Sequence, residues 1–200
     1  MSRVPWWAVL SAGGAPVLLI GGWTLAADRQ PPGYDPTVET ISSLAALDAT
    51  DRWLMTAALV GVGLCHLVTA LGLRPAAPGG RLLLAGGGVA TLLVAAFPLP
   101  GSSGGSTAHT VAASLAFGLL AVWPAVAFRR AGGTPWPLRP AVAAAATVVL
   151  VALVGWFVVA LRDETAVGLA ERVAAGAQAL WPLVAVLGVR RDQGHVHESR

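Results

Sequence analysis

The chain has 200 residues, of which 56% are hydrophobic and only 12% charged, with a mean hydropathy of +0.69 and a formal net charge of +3. A soluble domain carries about 25% charged residues, so this composition excludes an ordinary soluble domain and marks an integral membrane protein. The basic residues are 13 arginines without a lysine, spread along the chain singly or, at 129–130 and 190–191, in pairs; a nucleic-acid face needs them clustered, so no nucleic-acid partner is expected.

A spanning helix needs about 20 mainly apolar residues. Six stretches qualify, at about 5–27, 52–73, 81–99, 107–128, 139–161 and 168–189. The predicted fold is therefore all-α, a polytopic bundle of six transmembrane helices over residues 1–190, followed by a disordered cytoplasmic tail over 191–200. The first stretch is longer than the roughly 7–15 apolar residues of a signal-peptide core, so it is read as a retained span. Six spans put both termini on one side. Arg3, Arg74, Arg81, Arg129, Arg130, Arg139, Arg190, Arg191 and Arg200 fall on that side, against Arg29, Arg52, Arg162 and Arg172 on the other. Nine against four places the termini in the cytoplasm.

Within the spans, Gly13-Gly14, Gly21-Gly22, Gly61-x-Gly63 and Gly86-Gly87-Gly88 allow close helix packing. None precedes Lys-Ser/Thr, so a phosphate-binding loop is not indicated. Trp123-Pro124 and Trp181-Pro182 echo one another, as do the Leu-Gly-Leu-Arg and Leu-Gly-Val-Arg span ends at 71–74 and 187–190. The unequal spacings leave duplication a guess. Cys65 is the single cysteine, which excludes an intrachain disulfide and a cysteine-based metal site.

The segment 34–53 is too polar for hydrocarbon yet keeps a helical pattern. Asp35-Pro36 is a favourable helix start. Val38, Ile41, Leu44 and Ala45 then share one stripe, while Asp35, Glu39 and Ser42 share another. A short interfacial helix is expected here, with Asp48-Ala-Thr-Asp51 restarting the chain for the second span. His109 falls in the first turn of the fourth span, where the helix dipole disfavours an imidazolium. Glu171 and Arg172 lie about one turn into the sixth. Asp35, Glu39, Ser42, His109, Glu171 and Arg172 are thus expected to converge at one depth in an outward-facing cavity, because ionisable groups within spans are functional candidates by default.

A purely structural role competes with this. Glu39 pairs with Arg172 in that account, the acids complement helix starts, and His109 caps a loop carbonyl. His66, deeper in the second span, is expected to bond a backbone carbonyl, and Gln178 to make an interhelical hydrogen bond. His195 and His197 sit in the tail, where a metal grip is the weaker reading. No His-Glu-x-x-His, Gly-x-Ser-x-Gly or Walker sequence is present, and no cofactor is implied.

The segment Tyr34-Asp35-Pro36-x-x-Glu39-Thr40-Ile41-Ser42-x-Leu44 after the first span, Asp51-Arg52-Trp53 at the second, Phe97-Pro98 after the third, His109 at the fourth and Gly168-Leu169-x-Glu171-Arg172 at the sixth occur in a specific order. In this the chain resembles the bacterial six-span family catalogued as domain of unknown function 998, over about residues 6 to 190. Over a few residues only, it also resembles the eukaryotic Frag/DRAM/Sfk membrane proteins, some of which act in lipid-anchor remodelling. The first resemblance implies the six-span fold and carries no activity.

The leading functional expectation is binding of a lipid or amphiphile in the outward cavity, with membrane lipids as partners. One alternative is a lipid-modifying hydrolase or transferase at the same site, with His109 or Glu39 as base and with or without a metal; it requires His109 within hydrogen-bond reach of a carboxylate or of Ser42. Others are an accessory subunit, or a small transporter whose spans hold few polar stations. Protein partners and oligomeric state, a homo-oligomer included, are left open.

Overall fold

The structure is a computed structural model and describes residues 3–101 and 104–198. Among these residues there are seven α-helices, two 3-10 helices and no strand. The helices are α1 (Trp6–Ala27), α2 (Trp53–Gly72), α3 (Pro78–Ala96), α4 (Thr107–Val122), α5 (Pro124–Ala127), α6 (Pro140–Asp163) and α7 (Val167–Glu198). Proline opens α3, α5 and α6, at the position where a missing N–H breaks no helical bond. Five of the helices, α1, α2, α3, α6 and α7, are long and apolar enough to cross a membrane; α4 is apolar but has 16 residues.

Sequential helices pack as neighbours, α1 on α2, α2 on α3 and α3 on α4, and α7 closes the bundle against α1 and α6. The loops collect at two ends. At one end the Leu47 amide bonds the Leu99 carbonyl, and the amides of Gly168 and Leu169 bond the carbonyls of Val38 and Thr37. At the other, the Val4 amide bonds Gln193 Oε1, the Trp136 amide bonds Asp192 Oδ2, and the Ala77 amide bonds the Ala127 carbonyl. Arginines at this second end serve exposed helix-end carbonyls, Arg81 reaching Ala70 and Leu71, and Arg129 reaching Pro75 and Ala76.

The core is layered along the bundle. Leu19, Leu44, Met55 and Ala112 pack near the first end; Leu73, Leu84, Trp123 and Val186 pack near the second. A smaller cluster joins Phe157 and Ala160 of α6 to Ala170 and Ala174 of α7, with Phe117 of α4 set 5.2 Å from the Phe157 ring. The outside is apolar as well. α6 is the most hydropathic of the spans and the least buried, with Val148 68% exposed, an arrangement that makes sense only against hydrocarbon.

Two expectations are corrected. Residues 34–53 do not form an interfacial helix; they run through turns with one 3-10 helix, Ser43–Ala45. Local side-chain bonds win over helix continuation. Asp35 Oδ1 accepts from both the Thr37 amide and hydroxyl, and Thr40 Oγ1 accepts from the Ser43 amide. The expected fourth span is interrupted at Trp123, because Pro124 has no N–H to continue the ladder, and α5 turns to lay Ala127 against Gly80. α7 is described as far as Glu198, and Asp192 and Gln193 hold the neighbouring segments through the Trp136 and Val4 amides. The side chains of His195 and His197, and residues 199–200, lie outside the described part.

The small residues earn closer inspection where α2 crosses α3. A Cβ on Gly88 would sit 2.7 Å from the Gly63 carbonyl oxygen, and one on Gly63 would sit 2.8 Å from the Gly88 carbonyl oxygen. The two backbones touch, so any side chain must push the helices apart. Gly155 on α6 meets nothing. We expect Gly88→Ala to destabilise the protein by about 1–3 kcal/mol through overpacking, and Gly155→Ala to be neutral or stabilising by up to about 1 kcal/mol. Thermal melts of the detergent-solubilised variants check this; equal behaviour of the two would contradict the close crossing.

Candidate functional site

The site is built where three chain segments meet at the first end of the bundle. α7 begins beside the loop 34–42 and uses that loop as its cap. Its free amides at Gly168 and Leu169 donate to the carbonyls of Val38 and Thr37. A Cβ on Gly168 would run into the carbonyls of Glu39 and Pro36, so the approach requires glycine. Arg172 extends the same grip. Its Nη1 donates to the carbonyls of Pro36 (2.7 Å), Glu39 (2.7 Å) and Gly168 (3.0 Å), and its Nη2 donates to the Tyr34 hydroxyl (2.6 Å).

Glu171 supplies the opposite polarity. It is 4% exposed, and its carboxyl accepts from the Ile41 amide through Oε2 while Oε1 lies 3.3 Å from Ser42 Oγ. Ser42 Oγ is in turn 3.0 Å from His109 Nε2, and His109 Nδ1 is 2.9 Å from the Phe97 carbonyl oxygen. The histidine is placed by both helix ends. Ser106 caps α4 by accepting from the His109 amide, which fixes His109 in the first turn. Phe97 closes α3 ahead of Pro98, so its carbonyl has no helical donor to take.

The proton count of this chain is constrained. A carbonyl only accepts, so Nδ1 carries hydrogen and a neutral imidazole presents its lone pair at Nε2. The Ser42 hydroxyl has one proton. If that proton goes to His109, the Glu171 contact needs a proton on the carboxyl; if it goes to Glu171, the histidine must be doubly protonated. Either way Glu171, Ser42 and His109 complete their bonds with one proton more than a carboxylate and a neutral imidazole contain.

Of the six residues expected to converge, Ser42, His109 and Glu171 do so, and Arg172 lies one position further along α7 with its guanidinium turned to the loop carbonyls. Asp35 and Glu39 do not join. Asp35 is exposed and turned to Thr37, whose hydroxyl and amide hold its carboxyl below the usual range. Glu39 lines a separate polar pocket with Tyr34 and Ser43, and it is its backbone carbonyl, not its carboxylate, that Arg172 binds. Burial pushes the Tyr34 phenol up, against the pull of the Arg172 charge and its hydrogen bond. The expected carbonyl contact of His109 is present. Gln178 Nε2 donates to the Phe117 carbonyl at 2.8 Å, joining α7 to α4 as expected. His66 departs from expectation, because neither ring nitrogen meets a protein partner among the described residues. Tyr34 and Phe97 are the residues that sequence reasoning left without a role. Their signals were the place of each beside a proline-marked turn and in the ordered segments that carry the family resemblance.

Two cavities flank the trio. A cleft of about 440 Å³ is lined by Ser42, His109 and Glu171 at its polar end and by Leu99, Ala113, Phe117, Val154, Phe157 and Leu161 beyond. A smaller internal cavity, about 70 Å³, shares Ser42 and Glu171 with it and reaches His66, Thr91 and Gln178. Among the described residues no three His, Cys, Asp or Glu side chains are grouped as metal ligands.

Glutamine at 171 would offer an acceptor to the Ile41 amide and a permanent N–H to Ser42. Glu171→Gln is therefore expected to hold stability within about 1 kcal/mol of the parent, whereas Glu171→Ala, which orphans the buried Ile41 amide, loses about 1–3 kcal/mol. Melting curves in one detergent at fixed pH decide it, and an Ala variant as stable as the Gln variant would show that the carboxyl does not hold the loop.

No curated protein and no solved structure matches the chain. The family described as "Protein of unknown function (DUF998)" matches residues 12–188, a range that contains the loop, the trio and both cavities. With a match over most of its length, this chain belongs to the DUF998 family.

Proposed function

We propose that this protein is a six-span protein of the bacterial cytoplasmic membrane that binds a lipid or other amphiphile, with the polar end of the ligand at Ser42, His109 and Glu171. The observation that carries the reading is the cleft itself: a volume of about 440 Å³ with one polar end and apolar walls from α4, α6 and Leu99, within the roughly 300–1,000 Å³ of small-molecule sites. An amphiphile matches both chemistries at once, and an apolar exterior lets it enter from the bilayer without crossing water. The sixth crossing is α4 completed by α5 beyond the Trp123-Pro124 break. The arginine excess at the end holding both termini supports a cytoplasmic location for that end, which turns the site toward the outer leaflet.

A photoactivatable, radiolabelled fatty amphiphile incorporated with the protein into lipid nanodiscs tests the reading. Crosslinks are expected on α4 and α6 around Phe117 and Phe157. Ala113→Trp, which fills the cleft, should reduce them by about tenfold, equivalent to about 1.4 kcal/mol. Crosslinks spread evenly over all lipid-facing helices and indifferent to Ala113→Trp would sink it.

A further inference from the structure

We propose that Ser42 is a nucleophile activated by His109, and that the cleft takes a neutral acyl ester whose carbonyl carbon reacts there; this rests on the amphiphile-binding reading and gives it a chemistry. The geometry is that of an activated serine. Ser42 Oγ is 3.0 Å from His109 Nε2, and the base is itself oriented by a third group, the Phe97 carbonyl 2.9 Å from Nδ1. The carbonyl fixes the tautomer, so the ring nitrogen facing the hydroxyl is the one able to take its proton. Both side chains line the cleft, and Ser42 is only half-buried, so a bound ligand can reach Oγ.

The surroundings select the electrophile. Among the described residues no arginine lines the cleft, and the ionisable side chains that do are His109 and Glu171. Arg172, the nearest cation on α7, is turned to the carbonyls of Pro36, Glu39 and Gly168. A phosphodiester or a free carboxylate would enter without a counter-charge and beside a carboxyl group. A neutral ester carbonyl meets no such cost, and its acyl chain matches Leu99, Val154, Phe157 and Leu161.

The step balances within the site. Ser42 Oγ forms a bond to the ester carbonyl carbon while its proton passes to His109 Nε2. The ester C–O bond then breaks, and the leaving alcohol takes that proton. An acyl-Ser42 remains, and water or a second lipid alcohol attacks it, giving its proton to His109 and restoring the serine. The internal cavity of about 70 Å³ touches Ser42 and Glu171 from within the bundle and is lined by His66, Thr91 and Gln178. A water needs about 10–15 Å³ of such volume and two or more polar partners, so this cavity can deliver the acceptor water to the acyl-serine.

The full chain in nanodiscs, treated with an alkyl fluorophosphonate and analysed by peptide mass, gives the test. Attack by Oγ on phosphorus expels fluoride and leaves a stable adduct. An adduct on Ser42, formed at least about 100-fold more slowly in His109→Gln, is the expected result. Ser114 lines the same cleft without a histidine partner and serves as the internal control. Should His109→Gln fail to fold, Ser42→Cys provides a second measurement: its alkylation by an iodoacetyl amphiphile should follow a pH profile displaced from that of Cys65. Amphiphile crosslinking with no Ser42 adduct, or with equal labelling of Ser114, overturns the nucleophile and leaves the binding site standing. Absence of crosslinking in the parent protein removes the binding site, and the nucleophile with it.

Discussion

The interaction on which the functional end depends is the clasp between the first turns of α7 and the loop 34–42. A helix N-terminus ordinarily takes a side-chain oxygen as its cap. Here backbone carbonyls of the loop fill that role, donated to by the amides of Gly168 and Leu169 and by the Arg172 guanidinium. Glu171, one residue before Arg172, answers the loop's own donor at Ile41. The adjacent acid and base thus bind the same loop through opposite groups, and neither needs the other as its main partner. This is how a non-helical segment is kept in place next to hydrocarbon, where an unsatisfied amide or carbonyl is costly.

The clasp explains why Ser42 is where it is. Ile41 is buried in the bundle core and its amide is tied to Glu171, so the next residue has little freedom. His109 reaches it from α4 because the Ser106 cap and the Phe97 carbonyl fix the imidazole from two sides. The resulting chain of bonds joins α3, α4, the loop and α7. Among the described residues, polar contacts through the middle of the bundle are few, Gln178 with Phe117 and Ser11 with Thr69 being examples, and much of the packing there is by alanine and glycine. Polar bonding gathers at the two ends, through arginines and helix-end carbonyls at one and through the loop, His109 and the start of α7 at the other.

The legible part of the site was its membership, and its wiring was less so. Ser42, in the segment between the first two helices, and His109 and Glu171, each near a helix start, were recognisable as polar residues at one end of the bundle, since helix order alone brings these three segments to the same side. Asp35 and Glu39 were grouped with them on the assumption of a helical period through 34–45. That assumption failed because Asp35 and Thr40 each close a local turn, and such turns compete with a helix over distances of two or three residues. Tyr34 and Phe97 were missed for a related reason. Phe97 acts through its carbonyl, which every residue has, and Tyr34 acts through a partner 138 positions away.

The sequence by itself determined that the protein belongs in a membrane, which stretches become helices, and which ends of those helices share a side. These are sums over contiguous residues: transfer of about 20 apolar side chains to hydrocarbon, internal satisfaction of the backbone, and proline at helix starts. Only the tertiary structure decided what Glu171, Arg172, His109 and Ser42 bind. Glu171 and Arg172 bind mainly backbone groups of a loop 130 or more residues distant, and His109 binds the Phe97 carbonyl as well as the Ser42 hydroxyl; a backbone amide or carbonyl carries no identity in the sequence. Which of them lies within 3 Å of a given side chain is fixed by how the loop packs over the start of α7, a property of the assembled bundle.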